Sequence, residues 1–162
     1  MKHHFETQVL LGGYSLIERQ LDECKTNEEM QAIFQSHPRF FSKFFKVFQK
    51  QIESNNFYML YQPQISNGKC KNAKAEALFR CSIGEKPINP QVAFALAEHY
   101  GYERKLTLRV LERICEDSVG FQANISPSFK VSFNVNPTLI DKNFFDSFNI
   151  SHSITIHHFI QL

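Results

Sequence analysis

The pattern of apolar and polar positions divides the chain into a helical front, two strands, and an alternation of helices with strands. Tyr14 to Cys24 carries Leu16, Ile17 and Leu21 at helical spacing. Thr26-Asn27-Glu28-Glu29 reads as a capping box: the Thr26 hydroxyl accepts from the Glu29 amide while the Glu29 side chain reaches back. A short helix through Phe34 is predicted to follow. Pro38, after His37, suits a first helical position. Phe40, Phe44, Phe48 and Ile52 then recur every four residues, with Phe41 and Phe45 beside them, and predict a strongly apolar helix face. This face reads either as a helix docked on the following domain or as a signalling or dimer helix. Ser54-Asn55-Asn56 breaks the pattern, so residues 1–55 are expected to be a helical N-terminal segment and residues 56–162 the domain proper.

Phe57 to Ile65 and Ala73 to Cys81 read as strands separated by the turn composition Ser66-Asn67-Gly68-Lys69. Strand alternation places Glu76, Leu78 and Arg80 on one face and Ala75, Ala77 and Phe79 on the other. Gln62 shares a face with Tyr58 and Leu60, and Pro63, lacking an amide donor, belongs near a strand end or edge. Ser82 to Ile88, with Gly84 and Pro87, reads as a loop. Asn89 is placed to cap a helix that starts at Pro90 and runs to Tyr100, with Val92, Ala93, Leu96, Ala97 and Tyr100 inward and Gly101 as its stop. Glu103 to Ser118 predicts a second helix, with Leu106, Val110, Leu111, Ile114 and Cys115 inward and Gly120 past its end.

Lys130 to Val135 predicts a strand ended by Pro137. Val131, Phe133 and Val135 share one face; Ser132, Asn134 and Asn136 share the other. Ile140, Phe144 and Phe148 are spaced as on a helix, and Ser153 to Phe159 reads as a further strand. Strands alternating with helices give an α/β class with parallel strands.

A length of 162 residues suits one domain or one and a half. The net charge of +2 argues against binding of a nucleic-acid polymer by its phosphate backbone. No stretch approaches the roughly 18 apolar residues of a membrane span. The run Val9-Leu10-Leu11 is too brief for a signal peptide core, and the expected location is cytoplasmic. Cys24, Cys70, Cys81 and Cys115 form no Cys-x-x-Cys pair and are expected as free thiols. His157 and His158 are adjacent in an expected strand, so they face opposite ways and make poor partners for one zinc ion.

The candidate chemistry lies on the strand face of Glu76, Leu78 and Arg80. A carboxylate and a guanidinium flanking a leucine suggest a site floored by a strand. Glu76 and Asn134 offer the hard oxygen ligands that Mg²⁺ and Mn²⁺ take, and Arg80 offers a planar fork for phosphate oxygens. Residue chemistry alone leaves a structural alternative for each: Glu76 and Arg80 as an ion pair, Gln62 as a core amide, Asn134 as a turn-former before Pro137. Glu98 falls in a helical repeat and reads as a solvated or helix-pairing carboxylate.

These residues resemble the EAL family, bacterial phosphodiesterases that hydrolyse cyclic di-GMP. The resemblance rests on Tyr61-Gln62-Pro63, Glu76-Ala77-Leu78 with Arg80, Asn89-Pro90 followed by Phe94-Ala95-Leu96-Ala97-Glu98, and Ser132-Phe133-Asn134-Val135-Asn136-Pro137, in the family's order over about residues 55 to 150. It implies a partial TIM-like (β/α) barrel of the EAL type, preceded by the N-terminal helices, with ligands at the C-terminal ends of the strands. It implies Mg²⁺ or Mn²⁺ as cofactor, held by Glu76 and Asn134. Arg80 would grip a phosphate, Leu78 would pack on the nucleotide and Gln62 would face the phosphodiester.

The chain departs from the family at its far end. Ser153 to Phe159 stands where the family has a Glu pair, with His157 or His158 near the expected Glu. The family's later Asp-Asp, Lys and Glu motifs have no counterpart in these 162 residues. The expectation is a member of the cyclic di-GMP signalling family, truncated to about its N-terminal half and catalytically inactive, that binds cyclic di-GMP poorly. The alternative is an interaction module on a degenerate EAL scaffold. Its protein partner, or a second copy, would meet open sheet edges and the Phe-rich helix.

Overall fold

The structure, a computed structural model, describes residues 2–64, 74–141 and 143–144, with side chains from Thr7 onward. The turn at residues 66–69, Cys70, Phe148, the expected strand Ser153 to Phe159 and both His157 and His158 lie outside the described residues. The observed class is mixed α/β. Helices α1 (Lys2–Glu23), α2 (Asn27–Ser36) and α3 (Pro38–Glu53) precede strands β1 (Phe57–Gln64), β2 (Lys74–Ile83) and β3 (Lys86–Ile88). Helices α4 (Pro90–His99) and α5 (Glu103–Asn124) follow, then β4 (Lys130–Ser132) and a 3-10 turn over Pro137–Leu139. The four strands form an open sheet of order β1-β2-β3, with β4 pairing β2.

The chain divides into two compact units: Met1–Tyr58 with Arg80–Leu106, and Met59–Phe79 with Thr107–Leu162. The first is built on the Phe-rich helix. Phe41, Phe44, Phe48 and Ile52 of α3 are all buried. Tyr14 of α1 stacks on Phe44 at 4.8 Å, Phe34 of α2 meets Phe41 edge-on at 4.7 Å, and Phe45 stacks on Tyr100 at 4.5 Å. The face is therefore spent on the unit's own core, which answers for the docked helix and against a partner-binding one. The α1 stripe is Tyr14, Ile17 and Leu21; Leu16, expected inward, is 81% exposed.

Polar links tie the N-terminal helices to the later part of the same unit. Lys86 Nζ donates to Glu18 Oε2 at 2.6 Å, and Asn89 Nδ2 to Asp22 Oδ1 at 3.2 Å. Asn27 Nδ2 donates to Glu98 Oε2 at 2.6 Å, so Glu98 is a helix-pairing carboxylate. The capping box at Thr26 and the Asn89 cap, which accepts from the Gln91 amide at 3.0 Å, are both formed. Gly101 follows α4 with φ +64°, the left-handed backbone that ends helices.

Ser82 to Ile88 is a hairpin rather than a loop. Ile83 pairs with Lys86 and Ser82 with Pro87, leaving Gly84-Glu85 as a two-residue turn with Gly84 at φ +59°. The closing pair exchanges the hydrogen bonds, so the next pair is a non-hydrogen-bonded one where Pro87 loses nothing.

In the second unit α5 continues through Gly120 to Asn124. The glycine costs the helix about 1 kcal/mol against alanine. Phe121, packed on Tyr61 and Phe129, anchors the last turn against that cost. β4 is parallel to β2, Glu76 opposite Ser132. It ends three residues before the expected Val135. A 3-10 turn over Pro137–Leu139 precedes the helix expected through Ile140, Phe144 and Phe148, and Ile140, Asp141, Asn143 and Phe144, the described residues of that stretch, are not helical. Asn136 Oδ1 accepts from the Thr138 amide at 3.2 Å, and Asp141 Oδ1 from the Asn143 amide at 2.9 Å, two side-chain turns that compete with a continuing helix. No helix among the described residues is long and apolar enough to cross a membrane.

Candidate functional site

β2 alternates strictly. Ala75, Ala77, Phe79, Cys81 and Ile83 are buried, while Glu76, Leu78, Arg80 and Ser82 are half-buried on the opposite face. The first set packs into the core; the second forms a polar floor with one leucine. Glu76 and Arg80 are four residues apart, so their Cα atoms are separated by about 13 Å along the strand. Their side chains bracket Leu78.

The parallel pairing with β4 puts Asn134 beside this floor. Glu76 lies opposite Ser132, and Asn134 is the next residue of β4's chain on the same face. Asn134 Nδ2 donates to Glu76 Oε1 at 3.0 Å. Ser132 Oγ donates to the Ala75 carbonyl at 3.4 Å and stitches the two strands. Glu76 on β2 and Asn134, two residues past the end of β4, thus come together from positions far apart in sequence.

Gln62 and Asn134 are both exposed. Gln62 stands on β1, in the same unit as Glu76 and Asn134, on the strand face that also carries Tyr58 and Leu60. Tyr58 and Leu60 are 52% and 47% exposed, so this face of β1 is not a core face. Arg80 shares the β2 face of Glu76 but belongs to the first unit.

The donor set suits a hard divalent ion. Glu76 brings a carboxylate and Asn134 an amide oxygen, 3.0 Å being the distance between its nitrogen and the carboxylate. Among the described residues no three His, Cys, Asp or Glu side chains gather around one point.

One group of residues escaped the sequence reading. The Tyr61 hydroxyl donates to Asp117 Oδ2 at 2.7 Å, and Arg113 Nε approaches Asp117 Oδ1 at 3.2 Å. Burial pushes the Tyr61 hydroxyl pKa well above its ordinary value, the bond to Asp117 and that carboxylate's charge push it further, and Arg113 opposes them. The i, i+4 spacing of Arg113 and Asp117 was the available signal, but nothing in the sequence directed it at β1. Burial acts in the same direction on two of the thiols. Burial pushes Cys81 up to about 12 and raises Cys115.

Residues 46–159 match the EAL domain family. No match is found among curated proteins.

Proposed function

Because the chain belongs to the EAL domain family, a family of cyclic di-GMP signalling, we propose that this 162-residue polypeptide binds cyclic di-GMP on the polar face of β2 without hydrolysing it. The observation that supports this most is the Glu76–Asn134 bond beside the half-buried row of Glu76, Leu78 and Arg80. Arg80 takes a phosphate, its fork matching two oxygens at once. Leu78 offers the apolar surface on which a nucleotide rests. Gln62 donates its amide to the phosphodiester. A Mg²⁺ or Mn²⁺ ion would be held by Glu76 and the Asn134 amide oxygen, and when bound supplies positive charge against the phosphate.

Hydrolysis in the family resembles two-metal chemistry, with ions about 4 Å apart. Two divalent ions bring four positive charges into one pocket, and several carboxylates must offset them. Glu76 is one carboxylate and Asn134 is neutral. A neutral imidazole from His157 or His158, outside the described residues, adds no negative charge. Binding with a single ion is within reach of this set; a two-ion cluster is not.

Calorimetric titration of the protein with cyclic di-GMP, with and without Mn²⁺, tests the reading. The expected result is weak saturable binding that Arg80→Ala reduces by roughly tenfold or more, the worth of a charge-assisted phosphate contact. Identical titration curves for the protein and Arg80→Ala, or no heat of binding at all, would overturn it.

A further inference from the structure

Gln62 is presented by the exposed end of β1. Along β1, Phe57 and Met59 are buried, Tyr61 is half-buried, and Gln62, Pro63 and Gln64 are exposed. Pro63 has no amide to donate. β1 also ends the path of the sheet, so one of its edges carries no strand among the described residues. Tyr61 is thus the last residue of β1 with a side chain anchored on the face opposite Gln62.

That anchor has two parts. The Tyr61 ring meets Phe121 of α5 edge-on at 4.6 Å, and Phe121 leans on Phe129 at 5.1 Å. The hydroxyl donates to Asp117 one turn earlier on α5, and Asp117 is itself braced by Arg113. The apolar contact fixes where the ring lies; the charged hydrogen bond fixes how far it reaches. Adjacent Cα atoms are about 3.8 Å apart on a stiff peptide, so a shift of Tyr61 is passed to Gln62.

We infer that Tyr61 and Asp117 are positioning residues: they clamp the end of β1 to α5 and thereby set Gln62 for a phosphodiester ligand. This rests on the reading of Gln62 as a nucleotide contact and adds to it the pair that acts through Gln62. Neither residue touches the ligand, since Tyr61 faces away from Gln62 and Asp117 lies beneath it on the helix.

Tyr61→Phe removes the hydroxyl and keeps the ring on Phe121. Two measurements on the full chain decide the matter. Hydrogen exchange, without ligand, is expected to quicken roughly tenfold at the amides of Gln62 and Gln64 in Tyr61→Phe and in Asp117→Asn, with the α3 amides unchanged; a tenfold change is the scale of one hydrogen bond to a charged group. Unchanged exchange at Gln62 and Gln64 overturns the clamp whether or not the protein binds nucleotide. The second measurement is a double-mutant cycle on cyclic di-GMP affinity. Tyr61→Phe and Gln62→Ala are each expected to weaken binding severalfold, and the double variant no more than Gln62→Ala alone. Additive losses overturn the claim that Tyr61 acts through Gln62. If the unaltered protein fails to bind, it is the nucleotide reading that falls, and the exchange result still stands or falls by itself.

Discussion

Asn134 donates through Nδ2 to Glu76 Oε1 at 3.0 Å, joining a residue just past β4 to the first half of β2 across 58 positions of sequence. The parallel register of the two strands makes this contact, and the proposed function gives the pair a hard ion to hold through Glu76 and the amide oxygen of Asn134. Titration of free Mn²⁺ followed by electron paramagnetic resonance is expected to show Glu76→Gln weakening ion binding by roughly tenfold or more. Asn134→Ala is expected to weaken it less, because a neutral ligand contributes less than a carboxylate. Equal Mn²⁺ affinity in the protein and Glu76→Gln would place the ion elsewhere.

The core of the first unit separates two apolar residues that the sequence pattern treats alike. Phe44 is fully buried against Tyr14, whereas Leu16 is 81% exposed. Phe44→Ala is expected to cost about 3–5 kcal/mol in denaturant unfolding, by cavity formation and lost transfer energy. Leu16→Ser is expected to stay within about 0.5 kcal/mol. Comparable losses would show that α1 buries a different face from the one observed.

The elements legible in the sequence were those with a local chemical signal. Thr26 with Glu29, Asn89 with Pro90, and Gly101 each announce a helix end through side-chain or backbone chemistry confined to a few residues. The β2 alternation was legible because it is long and strict. What escaped depended on distant partners. Gly120 looks like a stop until Phe121 is seen packed on Tyr61. Leu16 fits a helical stripe as well as Tyr14 does until Phe44 arrives to stack on the latter. The Gly84-Glu85 hairpin was available in principle as a two-residue turn, but Pro87 hid it by resembling a strand breaker. Of the site, the β2 face and the kinship of Glu76 with Asn134 were readable from the family's motifs; the Tyr61–Asp117 bond, which joins a strand to a helix, was not.

The capping box at the start of α2 offers a smaller test. The Glu29 amide donates to Thr26 Oγ1 at 3.3 Å, while Glu29 Oε2 accepts from the Lys25 amide at 2.6 Å and the Thr26 amide at 3.3 Å. Thr26→Ala is expected to destabilise the protein by about 1 kcal/mol, and Thr26→Ser, an equal or better cap, to leave stability unchanged within about 0.5 kcal/mol. Chemical denaturation of the three proteins side by side checks this, and equal midpoints would deny the cap a share in stability.

Burial of Cys81 makes stability fall in alkali. Its folded pKa is pushed up to about 12 from an ordinary value of 9.0. Above pH 9 the unfolded chain loses this proton and the folded chain keeps it, so unfolding is favoured progressively as pH rises toward the folded value. The contribution is whole below pH 9 and declines by up to about 1.4 kcal/mol per pH unit above it. Unfolding free energies at pH 8, 9 and 10 are expected to drop more steeply for the protein than for Cys81→Ala. Parallel curves would mean that the thiol titrates alike in both states.

Equilibrium dialysis of labelled cyclic di-GMP against the protein with Mn²⁺, followed by chromatography of the retained nucleotide, bears most directly on the central claim. The account predicts that nucleotide is retained, that it is released by Arg80→Ala, and that it elutes as the intact cyclic dinucleotide. Linear dinucleotide that disappears in Glu76→Ala, or no retention above a protein-free control, would contradict it.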